Sequence, residues 1–507
     1  MSARKVYFTL IFIVVFSSAF YFLSLITADP DLWGHIKFGE DLWRTRAFPL
    51  VDPYSFTAGG KVWINHEWLS ELIMYLVFHF FGSSGLIVGK LIIGVVIIFF
   101  LSKISLFRQM NHSVYGVIFV GTIFIISPGF MTRPQLATFL FTTFFFYIFH
   151  LYLERKVNYL WCLPVVMILW VNSHGGFLIG AGMFPVVIIS EFLSCLVNKK
   201  DKTYLYTLMK WMVVTELSVL INPYGFNLLI FLKDTIGVPR NITEWEPVSL
   251  FDFSYLRFKI YTLCVIVSFF INKKGNRWWE ISVIIIALIN AYFHQRHTPV
   301  FAILAAPFLC EKLSYVARSS GKYNIGIRSS ESYIILSVAL LVLAVFQISV
   351  TIDKFKKTGF NIIVDPGIYP VRAVNFLIKY DICGNIMVPF DWGEYVIWHL
   401  YPRCKVSVDG RFRTAYPEKV LEDHVNTMYN PSTFIKIIDS YPSDVLLLKN
   451  NPVSLLLKKM PEKWLYIYSD PTALIYMKNN KETRQVVQQL KNQKNVLSPG
   501  KVSIYFP

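Results

Sequence analysis

The residues best suited to chemistry follow the first apolar segment, in the run Asp29-Pro30-Asp31-Leu32-Trp33-Gly34-His35. A carboxylate such as Asp29 or Asp31 can act as a general base that takes the proton from a hydroxyl group. The same two carboxylates could hold a divalent cation, Mg²⁺ or Mn²⁺, through hard oxygen ligands. His35 follows Asp31 by four residues, so both would share one face of a helix that began at Pro30. The spacing therefore predicts a reactive carboxylate with a histidine beside it.

A structural role accounts for part of this run. Asp29 could cap a helix that begins at Pro30 and lies at a membrane surface, with Trp33 anchored among lipid headgroups. A capping role for Asp29 does not explain Asp31, so the interpretation of these carboxylates as catalytic is favoured. Two further residues of the same segment, His66 and Glu67, are predicted together with His35 to bind substrate.

The composition indicates which elements must position these residues. Only 16% of the 507 residues are charged and 54% are hydrophobic, whereas soluble proteins carry about 25% charged residues. This composition excludes an ordinary cytosolic enzyme, a disordered chain and a nucleic-acid module, so no nucleic-acid partner is expected. A membrane-spanning helix needs about 20 mostly apolar residues, and the sequence contains about eleven such runs. They are 7–26, 86–103, 114–126, 136–153, 160–171, 177–197, 208–221, 258–271, 279–292, 300–313 and 333–350.

The basic residues predict how these spans are oriented. Cytoplasmic loops retain lysine and arginine, whereas short translocated loops lack them. Much of the net charge of +17 falls in alternate connections, for example at Arg4 and Lys5 and at Arg155 and Lys156. The sequence therefore predicts an integral membrane protein with a cytoplasmic N-terminus. An odd number of spans places the C-terminus outside the cytoplasm.

Two regions are expected on the outer side. Residues 1–350 would form a transmembrane domain, whose first external loop, 28–85, contains a helix at 66–81 that lies at the interface or re-enters the membrane. Residues 351–507 alternate strand-like and helical stretches, which predicts an extracytoplasmic α/β domain with a largely parallel sheet. Cys383 and Cys404 precede consecutive predicted strands and could form a disulfide there.

More candidate groups lie at the predicted external ends of spans. Arg133 precedes a proline, His174 stands in a turn with two glycines, and Arg296 and His297 are adjacent. Each alone is typical of an interfacial anchor. Together with the first-loop carboxylates they predict binding of a substrate that carries a phosphate, because arginine pairs with phosphate in a bidentate way.

Several motifs and the whole architecture resemble the GT-C superfamily of polyprenyl-phosphate-sugar-dependent glycosyltransferases, nearest to little-characterised bacterial multi-spanning members. The motifs are the run from Asp29 to His35, Asp52-Pro53-Tyr54-Ser55-Phe56-Thr57, His66-Glu67-Trp68, Arg133-Pro134-Gln135 and Val408-Asp409-Gly410-Arg411.

The resemblance implies transfer of a sugar from a polyprenyl-phosphate-linked donor to an extracytoplasmic acceptor, which is a glycan, a lipid or a protein. Asp29 or Asp31 would be the base, and a single displacement would invert the anomeric carbon. Arginine, histidine or a cation would stabilise the departing phosphate.

Other functions remain compatible with the sequence. A transporter, a lipid-linked glycan polymerase or ligase, and a non-catalytic assembly scaffold would each need many spans. The sequence has no nucleotide-binding glycine loop, HExxH or GxSxG motif, so no soluble cofactor is indicated. In the tail, Trp392-Gly393-Glu394-Tyr395 and Val408-Asp409-Gly410-Arg411 follow predicted strands and are either binding loops or turns.

Overall fold

The structure is a computed structural model that describes residues 3–199, 201–235, 243–319, 330–427, 431–492 and 504–507. Most of these residues are helical. The helices are α1 (Ala3–Phe22), α2 (Leu32–Thr45), α3 (Trp68–Phe107), α4 (His112–Ile126), α5 (Gln135–Arg155), α6 (Cys162–Val171), α7 (Phe177–Asn198), α8 (Thr203–Ser218), α9 (Asn227–Thr235), α10 (Leu256–Ser268), α11 (Trp278–Phe293), α12 (Thr298–Ser319), α13 (Ser330–Lys357), α14 (Val371–Lys379), α15 (Gly393–Leu400), α16 (Glu418–Thr427), α17 (Pro431–Ser440) and α18 (Lys481–Asn492).

Five strands form one sheet: β1 (Asn385–Met387), β2 (Lys405–Val406), β3 (Val445–Lys449), β4 (Trp464–Ser469) and β5 (Ala473–Lys478). Their order is β2-β1-β3-β5-β4. β1 pairs in parallel with β2 and β3, but β5 is antiparallel to β3 and β4. The sheet is therefore mixed, where the sequence predicts a largely parallel one. Only residues 470–472 separate β4 from β5, too short a connection for a parallel crossover.

The chain divides into two compact units. The first, here the helical unit, comprises Met1–Leu25, Gly85–Phe226 and Ile236–Phe360. The second, here the mixed unit, comprises Ile26–Ser84, Asn227–Thr235 and Asn361–Pro507. The first-loop residues thus belong to the same unit as the C-terminal sheet.

The helical unit contains most of the apolar helices. Within the described residues, seven helical stretches are long and apolar enough to cross a membrane, and they contain α1, α3, α4, α5, α7, α12 and α13. The apolar helices α6 and α11 are shorter. A polar contact joins the first and last of these helices, because Gln347 of α13 accepts a hydrogen bond from Ser17 and donates one to Ser18 of α1. The length and composition of these apolar helices indicate a membrane-spanning protein. The count of about eleven spans stays a prediction.

Helix α3 passes from one unit into the other. Its first part covers all but the first two residues of the predicted interfacial helix, 66–81, and its second part contains the predicted span 86–103. The two parts meet at Gly82, whose φ of 61° and ψ of −162° are not helical. Glycine adopts such a positive φ without steric cost, so it permits a kink here.

In the mixed unit, the first loop packs on the C-terminal segment. Ser55 forms a parallel bridge with Val406 at the edge strand β2. The side chain of Trp33 is fully buried against the rings of Tyr369 and Tyr395, at centroid distances of 4.7 and 4.9 Å. These contacts fix α2 beside the sheet domain.

A disulfide and an apolar core hold the sheet domain together. Cys383 and Cys404 are bonded, with their Cα atoms 5.3 Å apart, and lie just before β1 and β2. The core beneath the sheet contains Met387, Phe434, Ile438, Leu446, Leu448, Leu457, Trp464, Leu474 and Tyr476.

Candidate active site

The first-loop carboxylates lie at the start of α2. This helix begins at Leu32, because the Leu32 amide donates to the carbonyl of Asp29 and closes a turn before the helix. Asp29 is buried, and its carboxylate accepts a hydrogen bond from the Asp31 amide at 3.1 Å. Asp31 is half-buried and occupies the N-cap position without a side-chain capping bond. Asp29 therefore shapes the turn, and the side chain of Asp31 makes no capping bond to the helix.

A second carboxyl group, that of Glu394, adjoins Asp31. Glu394 lies in the first turn of α15, is 3% exposed, and accepts a hydrogen bond from the Gly34 amide at 3.1 Å. A Cβ atom on Gly410 would lie 2.5 Å from Oδ1 of Asp31 and 2.7 Å from Oε1 of Glu394. The absence of a side chain at Gly410 thus lets two carboxyl groups approach each other from distant parts of the sequence.

The surroundings of Glu394 shift its pKa. Burial, followed by the negative charges of Asp31 and Asp409, raises the pKa of Glu394 well above its usual range. Neighbouring carboxyl groups disfavour a further negative charge. The protonated form of Glu394 is therefore favoured in the folded protein.

The guanidinium of Arg411 links the first loop to the C-terminal segment. It pairs with Asp409 at 2.7 Å and with Asp52 at 2.6 Å, and both carboxylates are fully buried. The rings of Trp63 and Tyr54 lie 4.7 and 5.0 Å from the guanidinium carbon. Such buried, paired charges serve to fix geometry. Arg411 is thus a framework residue beneath the Asp31–Glu394 pair.

A cluster of histidine and glutamate side chains lies between α2 and the start of α3. Nδ1 of His35 is 3.2 Å from Oε1 of Glu71, whose other oxygen accepts a hydrogen bond from Asn65 at 2.5 Å. Nε2 of His66 is 3.8 Å from Oε1 of Glu67. Burial lowers the pKa of His35, but the hydrogen bond to Glu71 and the neighbouring negative charges outweigh it and raise the pKa overall.

The candidate metal ligands differ from those that the sequence predicts. Among the described residues, one group of three ligating side chains has its ligand atoms within 4.8 Å of one another, namely His35, Glu67 and Glu71. Asp29 and Asp31, the predicted ligands, are not part of this group. Their role as metal ligands stays a prediction.

Three of the residues predicted to bind the substrate phosphate meet in the helical unit. Arg133 pairs with Glu244 at 3.1 Å, and the guanidinium of Arg296 stacks 4.6 Å from the ring centroid of Trp245. The ring of His297 is 6.2 Å from that of Trp245. All three therefore converge on the short 3-10 turn that holds Glu244 and Trp245.

His174 has different partners in the helical unit. Its Nδ1 is 2.7 Å from the hydroxyl of Thr138 and accepts a hydrogen bond from the Gly176 amide at 3.0 Å. Trp170 also donates to Thr138, at 3.0 Å. The first-loop carboxylates lie in the mixed unit, so a joint site with these cationic residues stays a prediction.

Sequence reasoning missed part of the site. Glu394 belongs to the run Trp392-Gly393-Glu394-Tyr395 after a predicted strand, but no feature of the sequence indicates that its side chain lies near Asp31. Glu71 was visible only as a charge interrupting an apolar run. No signal pointed to Glu244 or Trp245.

No protein-family model matches the sequence, and no curated protein matches it. The fold is similar to that of solved membrane glycosyltransferases. The apo structure of ArnT from Cupriavidus metallidurans aligns over 92% of this chain and 96% of that chain, with 10% identity and a TM-score of 0.50. The structure of ArnT bound to undecaprenyl phosphate aligns with a TM-score of 0.48 and 10% identity, over 94% of this chain and 98% of that chain.

Arabinofuranosyltransferase AftD from Mycobacteria aligns over 95% of this chain, with 13% identity and a TM-score of 0.53. This chain spans 40% of the AftD chain. The fold of this chain is thus similar to those of ArnT and AftD, in agreement with the resemblance that the first-loop motifs indicate.

Proposed function

We propose that this protein is an integral-membrane glycosyltransferase that moves a sugar from a polyprenyl-phosphate-linked donor to an extracytoplasmic glycan, lipid or protein. The observation that carries the proposal is the meeting of the Asp31 and Glu394 carboxyl groups. The GT-C-like fold supports the same reaction class. A non-catalytic scaffold would not require two adjoining carboxyl groups.

Asp31 is the proposed base. Its carboxylate takes the proton from the acceptor hydroxyl as the acceptor oxygen attacks the anomeric carbon of the sugar. The bond between that carbon and the phosphate oxygen breaks, and the lipid phosphate leaves with the electron pair. This single displacement inverts the anomeric carbon. Asp29 holds the turn that orients Asp31.

We propose that a protonated Glu394 helps Asp31 to act as the base. A protonated carboxyl beside Asp31 adds no second negative charge, so the acceptor and the donor phosphate meet less repulsion. The amide of Gly34 fixes one Glu394 oxygen. Glu394 is therefore a positioning residue for the base.

The proposed topology follows from the same reaction. A polyprenyl chain requires access from the bilayer, whereas the sugar and the acceptor require water. We therefore place residues 1–350 in the inner membrane with a cytoplasmic N-terminus, and residues 351–507 together with the loop 28–85 on the outer side. Arg133, His174, Arg296 and His297 are proposed to attract the donor phosphate.

Mass spectrometry of lipids that copurify with the protein tests this function. The full-length protein is purified in mild detergent, and the extracted lipids are analysed for undecaprenyl phosphate carrying a hexose or a pentose. The proposal predicts that Asp31→Asn retains such a lipid at higher occupancy than the wild type, because the donor binds but does not react.

The matched control is Asp41→Asn, at the far end of α2, where the carboxylate pairs with Lys37. This variant should show the wild-type lipid content. Extracts of wild type and Asp31→Asn that contain bulk phospholipids but no polyprenyl phosphate species would contradict the proposal.

A further inference from the structure

His35, Glu67 and Glu71 come together although two helices supply them. His35 lies in the first turn of α2, Glu71 lies in the first turn of α3, and Glu67 immediately precedes α3. Each offers one imidazole nitrogen or carboxylate oxygen, and these atoms all lie within 4.8 Å of one another. The three side chains thus converge on a volume small enough for one ion to reach all of them.

The surroundings hold this group in place. Glu71 is 3% exposed and His35 is 9% exposed. Asn65 donates to one oxygen of Glu71 and leaves the other oxygen facing His35. A hydrogen bond to a ligating carboxylate from a neighbouring side chain is typical of metal sites.

The charge of Glu71 supplies a second argument. Among the described residues, no lysine or arginine pairs with this buried carboxylate, whose ion-pair partner is His35. A buried carboxylate needs a compensating charge, which protonated His35 supplies when no ion is bound. A bound cation would take the place of that proton, because a ligating imidazole is neutral.

We propose that His35, Glu67 and Glu71 bind one divalent transition-metal ion of the Zn²⁺ or Mn²⁺ class. An imidazole nitrogen with carboxylate oxygens suits these ions, whereas Mg²⁺ prefers oxygen ligands and retains its water. Three protein ligands leave a coordination position open. This ligand set differs from the pair Asp29 and Asp31 that the sequence predicts. The binding of an ion does not depend on the proposed function. A role for the ion in positioning Asp31, which lies one helical turn before His35, does depend on the proposed function.

Metal analysis of the full-length protein tests the inference. The protein in detergent is stripped with a chelator, dialysed, and incubated with Zn²⁺ alone, Mn²⁺ alone, or either ion with excess Mg²⁺. Bound metal is measured by plasma mass spectrometry and affinity by calorimetry. The wild type should bind one equivalent of Zn²⁺ or Mn²⁺ that excess Mg²⁺ does not displace.

Two ligand variants and two controls locate the ion. His35→Gln and Glu67→Gln should weaken its affinity by at least about tenfold. His79→Gln, at an exposed position of α3, and Glu40→Gln, whose carboxylate pairs with Lys37, should bind as the wild type does. Glu67 is only half-buried, so Glu67→Gln should fold even where His35→Gln does not. Added Zn²⁺ should raise the thermal unfolding midpoint of the wild type by more than that of Glu67→Gln at the same concentration.

Less than half an equivalent of either ion in the wild type would overturn the inference. So would an equivalent that Glu67→Gln and His35→Gln both retain, since the ion would then lie elsewhere. Metal content requires no sugar transfer, so a failure here is distinguishable from a failure of the proposed function in the lipid analysis.

Discussion

Glu394 occupies the most unusual environment of any carboxyl group in the candidate site. It is buried beside Asp31 and Asp409, and its pKa is raised for both reasons. The folded protein therefore holds a proton that the unfolded chain releases at lower pH. Stability must fall as pH rises from the unfolded pKa of about 4.3 toward the folded pKa, by up to about 1.4 kcal/mol for each pH unit.

Glu394→Gln should reduce this pH dependence. The amide imitates the neutral carboxyl group and cannot ionise, so the thermal unfolding midpoint should decline less between about pH 5 and about pH 8 than in the wild type. Glu418→Gln, on the exposed start of α16, is the control and should keep the wild-type slope. Equal slopes in all three proteins would show that Glu394 does not hold the proton.

Arg411 permits a test of the framework beneath the pair. Arg411→Lys cannot reproduce the two-sided contact with Asp52 and Asp409 and leaves buried carboxylates poorly paired. We expect a loss of about 3–5 kcal/mol in unfolding free energy. Arg413→Lys, whose pairing carboxylate on Glu418 is exposed, should lose no more than about 1 kcal/mol. Denaturant titration measures both, and similar losses would remove the framework role.

At the scale of elements, the sequence predicted much of the C-terminal segment. The sequence predicts strand-like runs at 361–364, 385–388, 405–408, 444–448, 464–468 and 472–477. The last five overlap β1 to β5, whereas 361–364 lies outside the sheet and contributes only isolated bridges at Ile363. The direction of β5 was not predictable from the pattern, since strand direction depends on pairing partners rather than on local sequence. The disulfide between Cys383 and Cys404 was left open by the sequence and is present in the structure.

The start of α2 shows the same division. The sequence predicts a helix that begins at Pro30 with Asp29 as its cap, whereas α2 begins two residues later, at Leu32, and Asp31 holds the N-cap position. The approach of Glu394 was not predicted, because Gly34 and Glu394 lie 360 positions apart and no local pattern encodes such a contact. The sequence therefore predicts the first-loop residues of the candidate site. It does not predict that Glu394 of the C-terminal segment lies beside them.

Four helices of the helical unit, α3, α5, α11 and α12, are linked by an ion-pair network. Arg108, just beyond α3, pairs with Glu154 of α5 at 2.5 Å and with Glu280 of α11 at 2.7 Å. Arg277 pairs with Glu311 of α12 at 2.7 Å. Residues that the sequence treats as markers of topology thus also join helices.

Removal of one guanidinium should separate these roles. Arg108→Gln leaves the carboxylate of Glu280, which is fully buried, without its closest partner, and should cost about 3–5 kcal/mol. Arg155→Gln, an exposed neighbour that stacks on Phe107 at 4.7 Å, should cost about 1 kcal/mol or less. Thermal unfolding in detergent provides the measurement. Equal midpoints in the two variants would mean that the network does not stabilise the helical unit.

For the whole molecule, the proposed function requires that the C-terminal segment lie outside the cytoplasm. Single cysteines at two exposed positions, introduced as Lys156→Cys and Ser440→Cys in a background without other cysteines, report it in intact cells. An impermeant maleimide should label Ser440→Cys and reach Lys156→Cys only after the membrane is opened. The reverse pattern would place the C-terminal segment in the cytoplasm and remove the proposed access of the acceptor.

The most direct test of the central claim is sugar transfer by the reconstituted full-length protein. Liposomes containing undecaprenyl-phosphate-linked hexose or pentose are supplied with an extract of extracytoplasmic acceptors, and the release of undecaprenyl phosphate is followed by mass spectrometry. The account predicts release with the wild type and a decrease of about 10²–10⁴-fold with Asp31→Asn, at an unchanged thermal unfolding midpoint, because only the base is lost. Wild-type rates in Asp31→Asn would contradict the account.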